Sequence, residues 1–175
     1  MINKELLLAA WLEKLQKKWD TEEYYYDVEE AKKVFKFVSK LTNDRGASRN
    51  FDLLEFQFEI ITEILCVKRR SDGKRKHREA HINIPRKNGK SFLAAIIVVY
   101  LFFCQRHIFG ALFILTANTT NQAGELYGTV EHFIKANKTL RRYCKITSST
   151  KTIIRKDNGN KLMVLSSDAD NADSF

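Results

Sequence analysis

Six consecutive residues, Arg86-Lys87-Asn88-Gly89-Lys90-Ser91, carry the most specific chemistry this sequence offers. A glycine lets the backbone pass close to an anion, and the N–H groups of a loop that opens a helix point at it. A lysine beside that glycine neutralises phosphate charge, and a serine hydroxyl next to it ligates Mg²⁺ held by the same phosphates. The complete phosphate-loop pattern also asks for a glycine five positions before Gly89, where Ile84 stands. A bare Gly-Lys-Ser is a weak signal, and a strand-to-helix loop with an exposed lysine is the plain alternative.

Such a loop works only between a strand and a helix, and both are legible. Ala80 to Ile84 is a strand-like run broken at Pro85, the chain's single proline, and the apolar run Phe92 to Cys104 follows the loop at once. Ala111 to Ala117 reads as a buried strand, and Thr119 or Thr120 caps a helix running to about Ala136. This strand, loop, helix, strand, helix alternation predicts an α/β fold with a parallel sheet covered by helices. Beyond Leu140 come shorter strand signals at 143–147, 152–155 and 161–166. Asp157-Asn158-Gly159-Asn160 forms a hairpin turn between the last two.

The front of the chain is helical. Leu7, Leu8, Trp11, Leu12, Leu15 and Trp19 form one stripe of an amphipathic helix over Lys4 to Trp19. A second helix starts at an Asp27 N-cap with Glu30 three residues on, runs through Leu41 and stops in 43–46. A third spans Asp52 to Val67. These readings divide the chain into an N-terminal helical segment, 1–46, and an α/β part, 47–175.

The composition narrows the function class. A chain of 175 residues with 44% apolar residues and 12 Phe buries a real core, which argues against disorder. Three cysteines at wide spacing, Cys66, Cys104 and Cys144, read as reduced thiols. The longest apolar run falls short of the roughly 18 residues a membrane span needs, so no membrane role is expected. The net charge is +9, and most of it sits in one stretch: Lys68, Arg69, Arg70, Lys74, Arg75, Lys76 and Arg78 are offset only by Asp72. Lys74, Arg75, Lys76 and Arg78 are therefore candidate nucleic-acid contacts, with a solvated loop as the ordinary alternative. His77 and His81 have no ligand partners in sequence.

Ile84-Pro85-Arg86-Lys87-Asn88-Gly89-Lys90-Ser91 followed by Leu93-Ala94-Ala95 resembles the deviant phosphate loop of tailed-phage terminase large subunits, the ATPase motors that drive double-stranded DNA into preformed capsids. In that family an early loop glycine is commonly absent and a basic residue stands early in the loop, as Arg86 does. The resemblance extends from about Phe51 to Phe175. Phe51 to Gln57 is similar to the adenine-reading segment, Thr116-Ala117-Asn118 to Gln122-Ala123 to the turn after the next strand, and Leu165 to Asp170 to the stretch before the Walker B strand.

The resemblance implies a P-loop NTPase fold of the terminase type, preceded by the N-terminal helical segment. It implies ATP and Mg²⁺ as cofactors, with Gln57 reading adenine and Arg86, Lys87, Asn88, Gly89, Lys90 and Ser91 holding the phosphates. Ser91 binds the metal, and Arg86 and Lys90 act catalytically. It further implies double-stranded DNA, a terminase small subunit and a portal protein as partners, and the cytoplasm of a bacterial host as location, from a phage or prophage.

Hydrolysis also needs a carboxylate at the end of a second apolar strand. Leu162-Met163-Val164-Leu165 runs into Ser166-Ser167, with Asp168 two residues late, and Leu112 to Leu115 leads to no acid. The expectation is an amino-terminal portion with an incomplete sheet, prone to self-association, that binds nucleotide without efficient turnover. Two competing readings are a basic DNA-binding module using Lys68 to Arg78 and another P-loop ATPase or helicase-like protein.

Overall fold

In the computed structural model, described over residues 4–43, 49–50, 53–104, 109–117 and 120–165, the chain opens with α1 (Lys4–Trp19), β1 (Tyr24–Tyr26), α2 (Val28–Val38), β2 (Thr42–Asn43) and β3 (Arg49–Asn50). Then follow α3 (Glu55–Cys66), β4 (Val67–Arg69), α4 (Lys90–Cys104) and β5 (Leu112–Leu115). The chain continues through α5 (Thr120–Ala136), α6 (Lys138–Arg142), β6 (Cys144–Thr147), β7 (Thr152–Arg155) and β8 (Lys161–Val164). These elements form two compact units, one of residues 1–40 and 51–85, the other of residues 41–50 and 86–175.

In the first unit, α1, α2 and α3 bury their apolar stripes against one another. Trp11 and Phe35 both pack on the fully buried Phe58, with ring centroids 5.4 and 5.9 Å away. Lys14 pairs with Glu55 and Glu59, and Lys18 with Glu59 and Glu63, so α1 and α3 run in the same direction. That register leaves the start of α1 beyond the start of α3. Leu6 and Leu7 are accordingly exposed, and burial begins at Trp11; the expected stripe is buried only where it meets a partner. Asp27 caps α2 as its spacing predicts, accepting the Glu30 N–H at 2.9 Å, and such a cap is worth about 1 kcal/mol. α2 ends at Val38, earlier than expected, although Leu41 is still buried.

The basic stretch is part of this unit's framework. β4 pairs antiparallel with β1, and the chain then folds back so that the N–H groups of Arg69 and Lys76 reach the carbonyls of Lys74 and Val67, both at 2.9 Å. Gly73, at φ 66°, makes the turn. The sequence pattern did not foresee these short strands, since each is stable only through its partner.

The second unit carries a four-stranded sheet in the order β5-β8-β7-β6. Only β5 and β8 are parallel; β8 with β7 and β7 with β6 are antiparallel. The sheet is thus mixed, joining the expected parallel pairing at β5 and β8 to the expected hairpin. The physical reason is connection length: short turns join β6 to β7 and β7 to β8, and a parallel pair needs a long crossover, which α5 and α6 supply between β5 and β8. The predicted hairpin is present, with Gly159 at φ 71° in its turn. The sheet's register puts Phe113, Leu162, Ile153 and Ile146 in one row. Leu162 and Ile153 there are fully buried, and Phe113 meets Phe102 of α4 edge-on at 5.2 Å.

One expected element is absent. Residues 79–85 form no strand, because the alternating Ile82 and Ile84 have no ladder partner among the described residues, and a few apolar residues become a strand only beside a neighbour that supplies hydrogen bonds.

Candidate nucleotide-binding loop

The loop before α4 gains its shape from two left-handed residues. Lys87 has φ 69° and Gly89 φ 76°, while Asn88 between them keeps an ordinary negative φ. For glycine that conformation carries no steric penalty, but for lysine it costs roughly 1–2 kcal/mol. Alternation of hand along successive residues turns backbone N–H groups toward a common point, the concavity in which proteins hold anions. Lys87 was a candidate by its charge, but its backbone conformation was not foreseen, since nothing in a lysine's type announces a positive φ.

Gly89 also begins the helix. Its carbonyl accepts the Leu93 N–H at 2.8 Å, so the N–H groups of Lys90 and Ser91 have no acceptor inside α4. The helix has no acidic residue in its first turn, which leaves the positive end of its dipole unbalanced. Arg86, Lys87, Lys90 and Ser91 are all exposed, and none of the three cations has an ion pair among the described residues. Asn88 bends back to donate to the Arg86 carbonyl at 3.3 Å. The loop offers backbone donors, three free cations and one hydroxyl at a single helix start.

The helix behind the loop is held firmly. Leu93, Ala95, Ile96 and Val99 are fully buried, and Phe92 meets Phe133 of α5 edge-on at 5.0 Å. At the far end, Arg155 of β7 donates to the carbonyls of Phe102 and Phe103 at 2.7 and 3.1 Å and pairs with Asp157. Arg155 is only 4% exposed. Its place beside Ile153 in a period-2 strand pattern was the available signal, because alternation puts both side chains out of register with their neighbour Ile154.

The other candidates lie elsewhere. Gln57 belongs to the first unit, where it is buried and its Oε1 accepts the Leu54 N–H at 3.1 Å, capping α3. Of the basic stretch, Lys68 pairs with Asp27 at 2.5 Å, Arg69 with Asp72 and Arg70 with Asp20. Lys76 lies between the rings of Trp19 and Tyr24, 4.1 and 4.3 Å from their centroids. Burial lowers the pKa of the half-buried Arg75. Lys74 and Arg78 are exposed. This stretch therefore braces the first unit with most of its charge. His77 packs edge-on against Trp19 and His81 is exposed; no cluster of metal-ligating side chains occurs among the described residues. Asn118 and residues 166–175, including Asp168, lie outside the described residues.

Comparison with known proteins adds three findings. The family model described as "Terminase large subunit, ATPase domain" matches residues 55–175. The crystal structure of the HK97 bacteriophage large terminase superposes with a TM-score of 0.63 at 19% identity, covering 79% of this chain and 27% of that one. No curated protein matches. The structural likeness speaks for the fold, and the chain spans about a quarter of the length of the terminase it resembles. No helix among the described residues is long and apolar enough to cross a membrane.

Proposed function

Because the chain belongs to the terminase large-subunit family and carries that family's ATPase domain over residues 55–175, we propose that its loop Arg86 to Ser91 holds the triphosphate of ATP in a motor that packages double-stranded viral DNA. The observation that carries this reading is the alternation of hand at Lys87, Asn88 and Gly89 ahead of a buried helix. Backbone donors, with the N–H groups of Lys90 and Ser91, receive phosphate oxygens. The Lys90 ammonium neutralises the β and γ phosphates, and the Ser91 hydroxyl ligates the Mg²⁺ that travels with them. Arg86 and Lys87 add charge at the mouth of the loop, Arg86 serving the transferring phosphate. Asn88, through its bond to the Arg86 carbonyl, holds the loop's shape.

ATP supplies the phosphoanhydride bond whose cleavage drives the motor. Gln57 is the residue proposed to read adenine, through the amide nitrogen left by its helix-capping oxygen. The small subunit, the portal protein and the cytoplasm of an infected bacterium complete the reading. Self-association rests on Leu112 and Ile114, each 44% exposed on the outermost strand β5. The test is an equilibrium titration of the chain with a fluorescent ATP analogue and Mg²⁺. Saturable binding that Lys90→Ala weakens by at least tenfold supports the reading; equal binding by parent and variant defeats it.

A further inference from the structure

On the opposite margin of the sheet from β5, a second concentration of charge lies outside the nucleotide loop. Lys135 at the end of α5, Lys138, Arg141 and Arg142 on α6, and Lys156 after β7 line one open groove of about 580 Å³ along the outermost strand β6. We propose that this groove binds the phosphodiester backbone of double-stranded nucleic acid, without reading its sequence.

Charge balance is the first argument. The groove's lining contains no carboxylate among the described residues. The neighbouring acids are already engaged: Glu131 accepts the Ser148 hydroxyl at 2.6 Å and pairs with Lys135 at 3.1 Å, and Asp157 pairs with the buried Arg155. Lys138, Arg141, Arg142 and Lys156 have no ion pair among the described residues. Four like charges gathered on one wall repel one another, and an external polyanion relieves that repulsion while releasing its own counterions.

The second argument is order. Asn137 caps α6, its side chain accepting the N–H groups of Thr139 and Leu140 at 3.0 and 3.1 Å, and Leu140 is buried beneath the helix. Arg142 lies against the Tyr143 ring, its guanidinium carbon 5.3 Å from the centroid, and Lys156 reaches the Arg142 carbonyl at 3.4 Å. The cations thus stand on fixed elements, which reduces the entropy lost on binding. The basic stretch of the first unit differs, because most of its cations already have partners in the protein.

The third argument concerns the kind of anion. The groove is open, and its hydroxyl, Ser148, is committed to Glu131. Ammonium and guanidinium groups along an open wall suit phosphates spaced along a backbone, and contacts to phosphate carry no sequence information. The proposal rests on the motor reading only for the choice of a duplex as ligand.

The experiment follows fluorescence anisotropy of a labelled mixed-sequence duplex of about 30 base pairs with the full chain, across 50–200 mM salt, alongside binding of the ATP analogue. The triple variant Lys138→Ala, Arg141→Ala, Arg142→Ala is expected to lower the slope of log affinity against log salt by about 2–3 and to weaken binding at least tenfold at about 100 mM salt. ATP-analogue binding should stay at the parent level. If the triple variant fails to fold, Lys138→Gln with Arg141→Gln replaces it, with an expected slope loss of about 1–2. An unchanged slope overturns the proposal, as does a parent chain that binds no duplex. So does a slope lost only when Lys74, Arg75 and Arg78 are replaced by Ala. A slope lost in the groove variant, with no ATP-analogue binding by the parent, upholds the groove and refutes the motor reading alone.

Discussion

The guanidinium of Arg155 donates to the Phe102 carbonyl at 2.7 Å, tying the middle of the sheet to the last turn of the helix that opens at Lys90. The last carbonyls of a helix have no partner inside it, and a buried helix end needs one from elsewhere. Here one cation serves both Phe102 and Phe103, with Asp157 completing the pair. The connection lets strand residues fix the axis on which the candidate phosphate loop is mounted.

Replacing Arg155 by Leu should therefore destabilise the second unit by about 3–5 kcal/mol, the scale expected when a buried charged partner is removed and carbonyls are stranded. Asp157→Asn should cost less than about 1 kcal/mol, because Asp157 is 41% exposed and its pair is screened. Urea unfolding followed by circular dichroism separates the two. Equal losses would mean that Arg155 acts only through Asp157.

Gly89→Ala forces a Cβ into a left-handed residue at φ 76° and should cost about 1–2 kcal/mol. Lys87→Gly should shift stability by less than about 1 kcal/mol, because relief at φ 69° is offset by the greater freedom of glycine in the unfolded chain. Thermal melts of both variants check this. A large stabilisation by Lys87→Gly would show that the lysine pays far more for its backbone than steric considerations imply.

Stability should fall in acid partly through Asp27. Burial pushes its carboxyl pKa up, but the Lys68 ammonium at 2.5 Å and the Glu30 N–H outweigh that, and the net pKa lies below the ordinary 3.8. A carboxylate with a depressed folded pKa contributes stability above its unfolded pKa and loses it as pH drops through the folded value. Unfolding free energy should accordingly decline below about pH 4, and Asp27→Asn should flatten that decline. A pH series of denaturant melts decides; identical acid limbs would contradict the assignment.

Much of this architecture was legible in the sequence, where local signals coincide with the final contacts. α1 has its expected bounds, Asp27 caps α2, and the turn at 157–160 joins two paired strands. The loop was legible by residue type, because a glycine, a lysine and a serine before an apolar run state their chemistry. What stayed hidden depends on distant partners. Ala80 to Ile84 has the alternation of a strand but no ladder among the described residues, and the short pairings β1 with β4 and β2 with β3 join segments far apart or too short to signal themselves. Lys76 looked like a phosphate contact by charge, yet Trp19, far away in sequence, holds it against its ring. Lys138, Arg141 and Arg142 drew no notice as a short basic run; it is the fold that adds Lys135 and Lys156 to them.

The central claim is that phosphate oxygens meet the backbone of this loop, and an amide ¹H–¹⁵N correlation spectrum titrated with Mg²⁺ and ATP tests it most directly. The account predicts the largest saturable shifts at the amides of Lys87 to Ser91, with those shifts lost in Lys90→Ala although the variant keeps a native spectrum. Shifts confined to the groove around Lys138 to Arg142, or no saturable shifts in the loop at millimolar ATP, would contradict it.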